Sequence, residues 1–383
     1  MTGQNGEFIE QINVRTTKLA GDVLPDLDNS LPKYSQLKEF LKRRMQQKEI
    51  LCEQLLPSEH VLARQFKMSR HTVRQALGEL ENEGWIRREQ GRGTFCTYKE
   101  KVNRGTIAVI TTYISDYIFP TIIRGIDEVF SSSGYTLALA NTSNDKVKEA
   151  QCLANFLNRD DIAGFIVEPT KSAKENTNAP YFKELSRRGI PYIFLHAYYP
   201  DLDPAYIIMD DQQGSYTATK YLLQLGHRDI AGIFKADDIQ GIKREAGFKT
   251  ALAEDGVAFK PALLGRYETE QLLFYPYQFV KSTLHKLPRP TAIVCYNDQI
   301  ALKVMEAIRD EGLRVPDDIS VTGYDDSSLA LAPEVKLTTI KHPKAEMGRE
   351  AARLIIDMVE KRVERPRFTY QPELIIRNSC RNL

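Results

Sequence analysis

Beyond residue 105 the chain repeats one pattern: a short, continuously apolar run followed by an amphipathic helical stretch. Seven runs stand out, at residues 107–110, 135–139, 164–167, 192–195, 230–234, 292–295 and 319–321. A strand with one wet face alternates apolar and polar residues, whereas one that is apolar throughout must be covered on both faces. Such strands, separated by helices, build parallel sheets in an α/β layer structure. The pattern fits one Rossmann-like domain, a pair of them, or a barrel, and no internal repeat decides among these.

Residues 33–98 have a different texture. Leu37, Phe40, Leu41 and Met45 share one helical face. Ser58 before Glu59 is a helix start, since the hydroxyl can cap and the carboxylate favours the positive end of the dipole. Ser69 is a second cap, followed by the stripe Val73, Ala76, Leu77 and Leu80, and Gly84 stops that helix. Residues 85–88 and 93–98 read as two strands joined by Glu89-Gln90-Gly91-Arg92. Helix, helix, turn, helix, hairpin is the order of a winged helix-turn-helix.

Charge supports a nucleic-acid partner for this segment. The chain's net charge is +1, but residues 33–98 hold thirteen Lys and Arg against eight Asp and Glu, while residues 1–32 hold two against five. One basic module therefore sits on a neutral chain. With Val73, Ala76, Leu77 and Leu80 facing the core, Arg70, Thr72, Arg74 and Gln75 must point outward from the start of the helix. There a recognition helix meets base edges and phosphates. At the hairpin tip, Gln90, Gly91, Arg92 and Gly93 place a cation between two glycines, which suits close backbone approach. Lys33, Tyr34, Ser58, Arg64, Ser69 and His71 complete the candidate DNA-facing set.

Three segments of the body carry candidate ligand chemistry. Arg244 stands in the helix that follows the run ending near Phe234, and arginine offers a planar fork of donors. Asn297 and Asp325 each lie just past an apolar run, where open α/β sheets bind ligands. Tyr113, Asp116, Glu168 and His196 also follow runs, and His196 reads equally as a buried, hydrogen-bonded ring. Phe248, Tyr275 and Tyr296 are candidates to stack on a ligand, although aromatic residues here are more often core.

Several function classes drop out. No apolar run approaches the roughly 18 residues of a membrane helix, and the acidic first 30 residues do not read as a secretory signal. The five cysteines (Cys52, Cys96, Cys152, Cys295, Cys380) are scattered without a C-x-x-C pair, so neither a disulfide framework nor a metal site is expected. Motifs for a serine hydrolase, a zinc protease, a phosphate-binding loop or a pyridoxal lysine are missing, so no enzyme and no cofactor are expected. A cytoplasmic binding protein is the expectation.

Two resemblances sharpen this reading. Leu31-Pro32-Lys33-Tyr34, Leu56-Pro57-Ser58-Glu59, Ser69-Arg70-His71-Thr72-Val73-Arg74-Gln75-Ala76-Leu77, Leu80-Glu81-Asn82-Glu83-Gly84 and Gly91-Arg92-Gly93-Thr94-Phe95 resemble the GntR-type winged helix. That resemblance implies DNA contacts from Arg70, Thr72 and Arg74, a phosphate contact from Arg64, and a wing at 90–93. Asp210-Asp211-Gln212-Gln213-Gly214, Leu225-Gly226-His227-Arg228-Asp229, Cys295-Tyr296-Asn297-Asp298, Val315-Pro316-Asp317-Asp318 and Leu337-Thr338-Thr339-Ile340 resemble the LacI/GalR regulatory domain. It implies a periplasmic-binding-protein-like body of two subdomains around a cleft, with crossings near Gly226, Thr339 and Arg365. Arg244, Asn297 and Asp325 would hold the effector.

The expected organisation is a tail (1–31), a winged-helix head (32–98), a polar linker (99–105) and an effector-binding and dimerisation body (106–383). Residues 99–105 lack the apolar wedge of a LacI-type hinge helix. The combination resembles a family of sugar-responsive repressors of Gram-positive bacteria. It implies operator DNA bound by a homodimer and release by a small sugar, L-arabinose first and another pentose or hexose as the alternative. A GntR head fused to an aminotransferase is the disfavoured enzyme reading.

Overall fold

The two apolar stripes of the head and the helix start at Ser58 become three helices, α1 (Lys33–Gln46), α2 (Glu59–Gln65) and α3 (Arg70–Asn82). The computed structural model describes residues 31–98, 104–332 and 334–383, in two units divided at residues 99–103. Most of the expected tail and linker lies outside the described residues. Arg104 and Gly105 belong to the body rather than the linker: Arg104 donates its backbone N–H to Gly134 and pairs with Glu360.

Both expected caps form in the head. Ser58 Oγ accepts from Val61 N–H and Ser69 Oγ accepts from Thr72 N–H at 3.1 Å, satisfying amides that a helix start leaves open. Leu37, Leu41, Leu62, Val73, Leu77 and Leu80 close a small core. β1 (Ile86–Glu89) and β2 (Gly93–Cys96) form the antiparallel wing. Gly93, at the wing tip, sits at φ +118°, a conformation that strains any residue with a Cβ, so glycine is strongly favoured there.

The body resolves the question its apolar runs left open: it holds two sheets, not a barrel. The first lobe begins with β3 (Thr106–Thr111), α4 (Phe119–Ser133), β4 (Thr136–Asn141), α5 (Lys146–Leu157), β5 (Ile162–Val167), α6 (Ala179–Arg187), β6 (Tyr192–Leu195) and β7 (Ala205–Met209). The chain then enters the second lobe with α7 (Asp211–Gln224), β8 (Ile230–Lys235), α8 (Ile239–Glu254), β9 (Leu264–Tyr267), α9 (Tyr275–Leu284), β10 (Ala292–Cys295), α10 (Asp298–Asp310), β11 (Ser320–Asp325) and β12 (Thr338–Lys341). It returns to the first lobe through α11 (Lys344–Val359) and β13 (Arg367–Tyr370), and ends in the second with β14 (Glu373–Ile375). Sheet orders are β13-β7-β6-β5-β3-β4, all parallel, and β14-β12-β11-β10-β8-β9, parallel except for β14.

Each sheet is covered on both faces, as its apolar strands require. In the first lobe Ile122, Ile126, Phe130 and Ile355 pack on one face, and Leu153, Phe182 and Leu185 on the other. In the second, Phe279, Val280, Ile300 and Val304 pack on one face, and Leu222, Leu223, Phe248 and Ala251 on the other.

The crossings need correction. The first falls at Asp210, between β7 and α7, not near Gly226, because α7 already packs on the second lobe against α8. The second is at His342-Pro343, just past Thr339. The third is between Tyr370 and Glu373, later than Arg365, because β13 pairs with β7 before the chain leaves.

Candidate functional site

On the head, the exposed start of α3 brings Arg70, His71, Arg74 and Gln75 together, with Thr72 half-buried beside them. Local pairs hold the two arginines in place. Arg70 meets His60 Nδ1 at 2.8 Å, and Arg74 forks onto Glu59 at 3.0 to 3.3 Å. Arg92 at the wing tip pairs with Glu89 at 2.7 Å. Much of the head's positive charge is neutralised internally: Lys38 and Lys42 grip Glu83, and Arg87 and Arg88 pair with Glu53 and Glu81. Among the described residues, Lys33, Arg64 and Lys67 have no acidic partner. Tyr34 is half-buried against the core, with only part of the ring free. A charge count could not foresee this pairing, because it joins residues far apart in sequence.

In the body, the carboxyl ends of the two sheets face a shared cavity of about 590 Å³. Tyr113, Asp116, Glu168, His196, Arg244, Tyr296, Asn297 and Asp325 all line it. Phe248 and Tyr275 do not. Phe248 is fully buried under the second sheet beside Phe234, and Tyr275 stacks on Phe279 at the outer face. Phe248 follows Arg244 by one helical turn, but the helix carries the arginine toward the cleft and drives the ring into the sheet. Phe248→Ala should therefore cost about 3–5 kcal/mol of body stability as a cavity mutation. Chemical denaturation checks this, with sugar affinity retained in the fraction that stays folded.

Arg244 is the buried centre of the cavity floor. Its Nε and NH2 reach Asp211 Oδ1 at 2.8 Å, and NH1 donates to the Tyr296 carbonyl at 2.7 Å. Asp325 Oδ1 lies 3.8 Å from NH2, and the guanidinium stacks over Tyr324 at 3.5 Å. Burial opposes the arginine's charge, but Asp211 and its other neighbours outweigh it and hold the pKa above the ordinary value. Asp211 itself is pushed up to about 6 by burial, with Arg244 opposing.

The other wall groups are similarly engaged. Glu168 accepts from the Thr112 N–H and hydroxyl at 2.7 and 2.5 Å, and meets His196 Nδ1 at 2.9 Å. His196 Nε2 is buried without a partner among the described residues. Asn297 Oδ1 caps α10 by accepting from Ile300 N–H at 3.0 Å. Among the wall residues that the sequence reading missed are Tyr117, Lys235, Asp238 and Tyr267. Lys235 and Tyr267 end β8 and β9, so the rule that ligands gather at carboxyl ends of strands, applied to every strand, would have found them. Lys235 sits 3.4 and 3.1 Å from Asp237 and Asp238, and Asp238 accepts from Tyr296 Oη at 2.9 Å. Tyr117, in the loop after β3, donates across the cleft to Asp325 Oδ2 at 2.7 Å.

Among the described residues no group of three or more His, Cys, Asp or Glu could hold a metal, and no helix is long and apolar enough to cross a membrane. A DNA-reading head and a two-lobed body with a polar cleft define a ligand-controlled DNA-binding regulator. Residues 33–96 match the family model described as bacterial regulatory proteins, gntR family, and residues 219–380 match the periplasmic binding protein-like domain. The chain is 46% identical to an arabinose metabolism transcriptional repressor of Geobacillus stearothermophilus, over 93% of this chain and 100% of that one. It is 45% identical to a repressor of the same name from Halalkalibacterium halodurans, over 91% and 96%. The chain belongs to this family of arabinose metabolism transcriptional repressors. The body also superposes on a LacI family regulator from Enterococcus faecium with bound ribose, at TM-score 0.62 and 25% identity, covering 73% of this chain and 99% of that one.

Proposed function

We propose that the chain binds operator DNA as a homodimer through its head and body, and releases it when L-arabinose occupies the cleft. The observation that carries the sugar reading is that both cations of the cleft are already matched. Lys235 and Arg244 are both engaged by carboxylates of the chain itself. The walls thus offer no unmatched cation to an anionic ligand, and many hydrogen-bonding groups to a neutral one. Sugar hydroxyls both donate and accept, and Asn297, Asp325, His196 and Tyr267 provide both kinds of partner. The relatives' name points to arabinose, and the ribose held by the Enterococcus regulator supports a pentose.

A homodimer supports operator reading because two recognition helices then meet two half-sites, so the operator is roughly palindromic. A sugar that prefers the closed cleft shifts the population of the head arrangement, and a coupling of about 1–3 kcal/mol is enough for strong release. In this reading the protein works in the cytoplasm, where the DNA is, and catalyses nothing. Calorimetric titration with a panel of pentoses and hexoses tests the effector. L-Arabinose is expected to bind tightest, and a panel led by another sugar would reassign the ligand while keeping the mechanism.

A further inference from the structure

The two lobes of the body meet along a seam of hydrogen bonds, part of which involves residues that contribute nothing to the charge balance of the cleft. After β5 the first lobe projects a prong at residues 170–174. Ser172 Oγ, buried, accepts from the Ile239 N–H of the second lobe at 2.9 Å. Ile239 is the first residue of α8, so its N–H has no partner within its own helix and takes one from the opposite lobe. Ala173 N–H donates to the Asp237 carbonyl at 3.3 Å. At the rim, Lys171 pairs with Glu270 at 2.5 Å and Lys174 with Glu268 at 2.6 Å.

The prong is shaped from behind. Glu149, fully buried near the start of α5, accepts from Thr170 N–H at 2.9 Å and from Tyr199 Oη at 3.0 Å. The Tyr199 hydroxyl shares its proton between Glu149 and the Thr170 carbonyl, 2.8 Å away, so the N–H and the C=O of Thr170 are both engaged. A buried carboxylate is costly unless hydrogen-bonded, and here its acceptors are committed to one loop conformation.

We propose that this contact is a clasp that positions the lobes for effector capture. Lys171 and Glu270 do not line the cavity, and they hold it closed without touching the ligand. Ion pairs between exposed chains add little to folding, but across a hinge they bias closed against open, and a closed cleft binds more tightly. The inference rests on the cleft being the effector site.

A charge-swap cycle on the intact protein tests it. Lys171→Glu and Glu270→Lys should each weaken L-arabinose binding about threefold, and the double swap should restore it. Neither substitution removes an acceptor from the Ala173 or Ile239 amide. Their hydrogen exchange without sugar should nevertheless quicken by a similar factor in each single variant and recover in the double. Single variants with wild-type exchange and affinity, or a double swap worse than either, would overturn the clasp. If the wild-type chain binds no L-arabinose, the effector assignment alone fails, and the exchange arm still decides the clasp.

Discussion

Arg244→Ala is expected to abolish the response to sugar while leaving operator binding by the head intact. The guanidinium supplies three hydrogen-bonding contacts on the cleft floor, two to Asp211 and one to the Tyr296 carbonyl. Its removal takes a charge-assisted anchor from the ligand site and leaves Asp211 and Asp325 buried beside each other without their cation. Breaking a buried pair from one side costs about 3–5 kcal/mol, so the body should also be measurably less stable. Arg244→Lys separates the two effects. It keeps the charge but loses the fork, so it should recover much of the stability and little of the sugar affinity. Calorimetry and denaturation on both variants check this. An Arg244→Lys protein that responds normally to sugar would show that the fork geometry is not what the ligand needs.

Arg70→Ala should have the largest effect on the other side. Arg70 is exposed at the first turn of α3, where among the described residues His60 alone holds its side chain, which can reorient toward a base edge. Loss of an arginine-to-guanine fork typically costs about 1–3 kcal/mol, so operator affinity should fall roughly ten- to hundredfold with relaxed specificity at one base pair. Sugar binding should be unchanged. Arg74 is a weaker candidate for the same role, because Glu59 already occupies its fork. Binding measured at fixed salt against operator and scrambled DNA distinguishes a base contact, which loses specificity, from a phosphate contact, which weakens both alike.

Much of this architecture was legible in the residues. The seven apolar runs correspond to β3, β4, β5, β6, β8, β10 and β11, which are six of the eight interior strands of the two sheets plus the edge strand β4. Four of the five body strands that were not read are weakly apolar. β13 and β14 are edge strands, and Arg367 and Glu373 keep them polar. β9 is also an edge, with an exposed Arg266. β12 is central but reads as polar because Thr338 and Thr339 are buried with their hydroxyls hydrogen-bonded, to Arg377 N–H and to Asp298. Only β7, Ala205–Met209, was an apolar run overlooked.

The site was legible to the extent that chemistry sits at strand ends. Arg244, Asn297 and Asp325 converge because three parallel strands end at one edge. Tyr117 and Asp211 could not be foreseen, since one reaches across the cleft and the other acts through Arg244. Two of the three aromatic candidates, Phe248 and Tyr275, fall away from the cavity for the opposite reason, while Tyr296 lines it. Ring type carries no direction, and packing rather than chemistry decided where Phe248 and Tyr275 point.

The central claim is that occupancy of the cleft controls the grip of the head on DNA. The most direct test is the affinity of the wild-type protein for its operator, at one fixed salt concentration, with and without millimolar L-arabinose. Operator affinity is expected to fall at least about tenfold with the sugar, within the usual range of allosteric coupling. No loss is expected in Arg244→Ala under the same conditions. An operator affinity unchanged by L-arabinose in the wild-type protein would contradict the account.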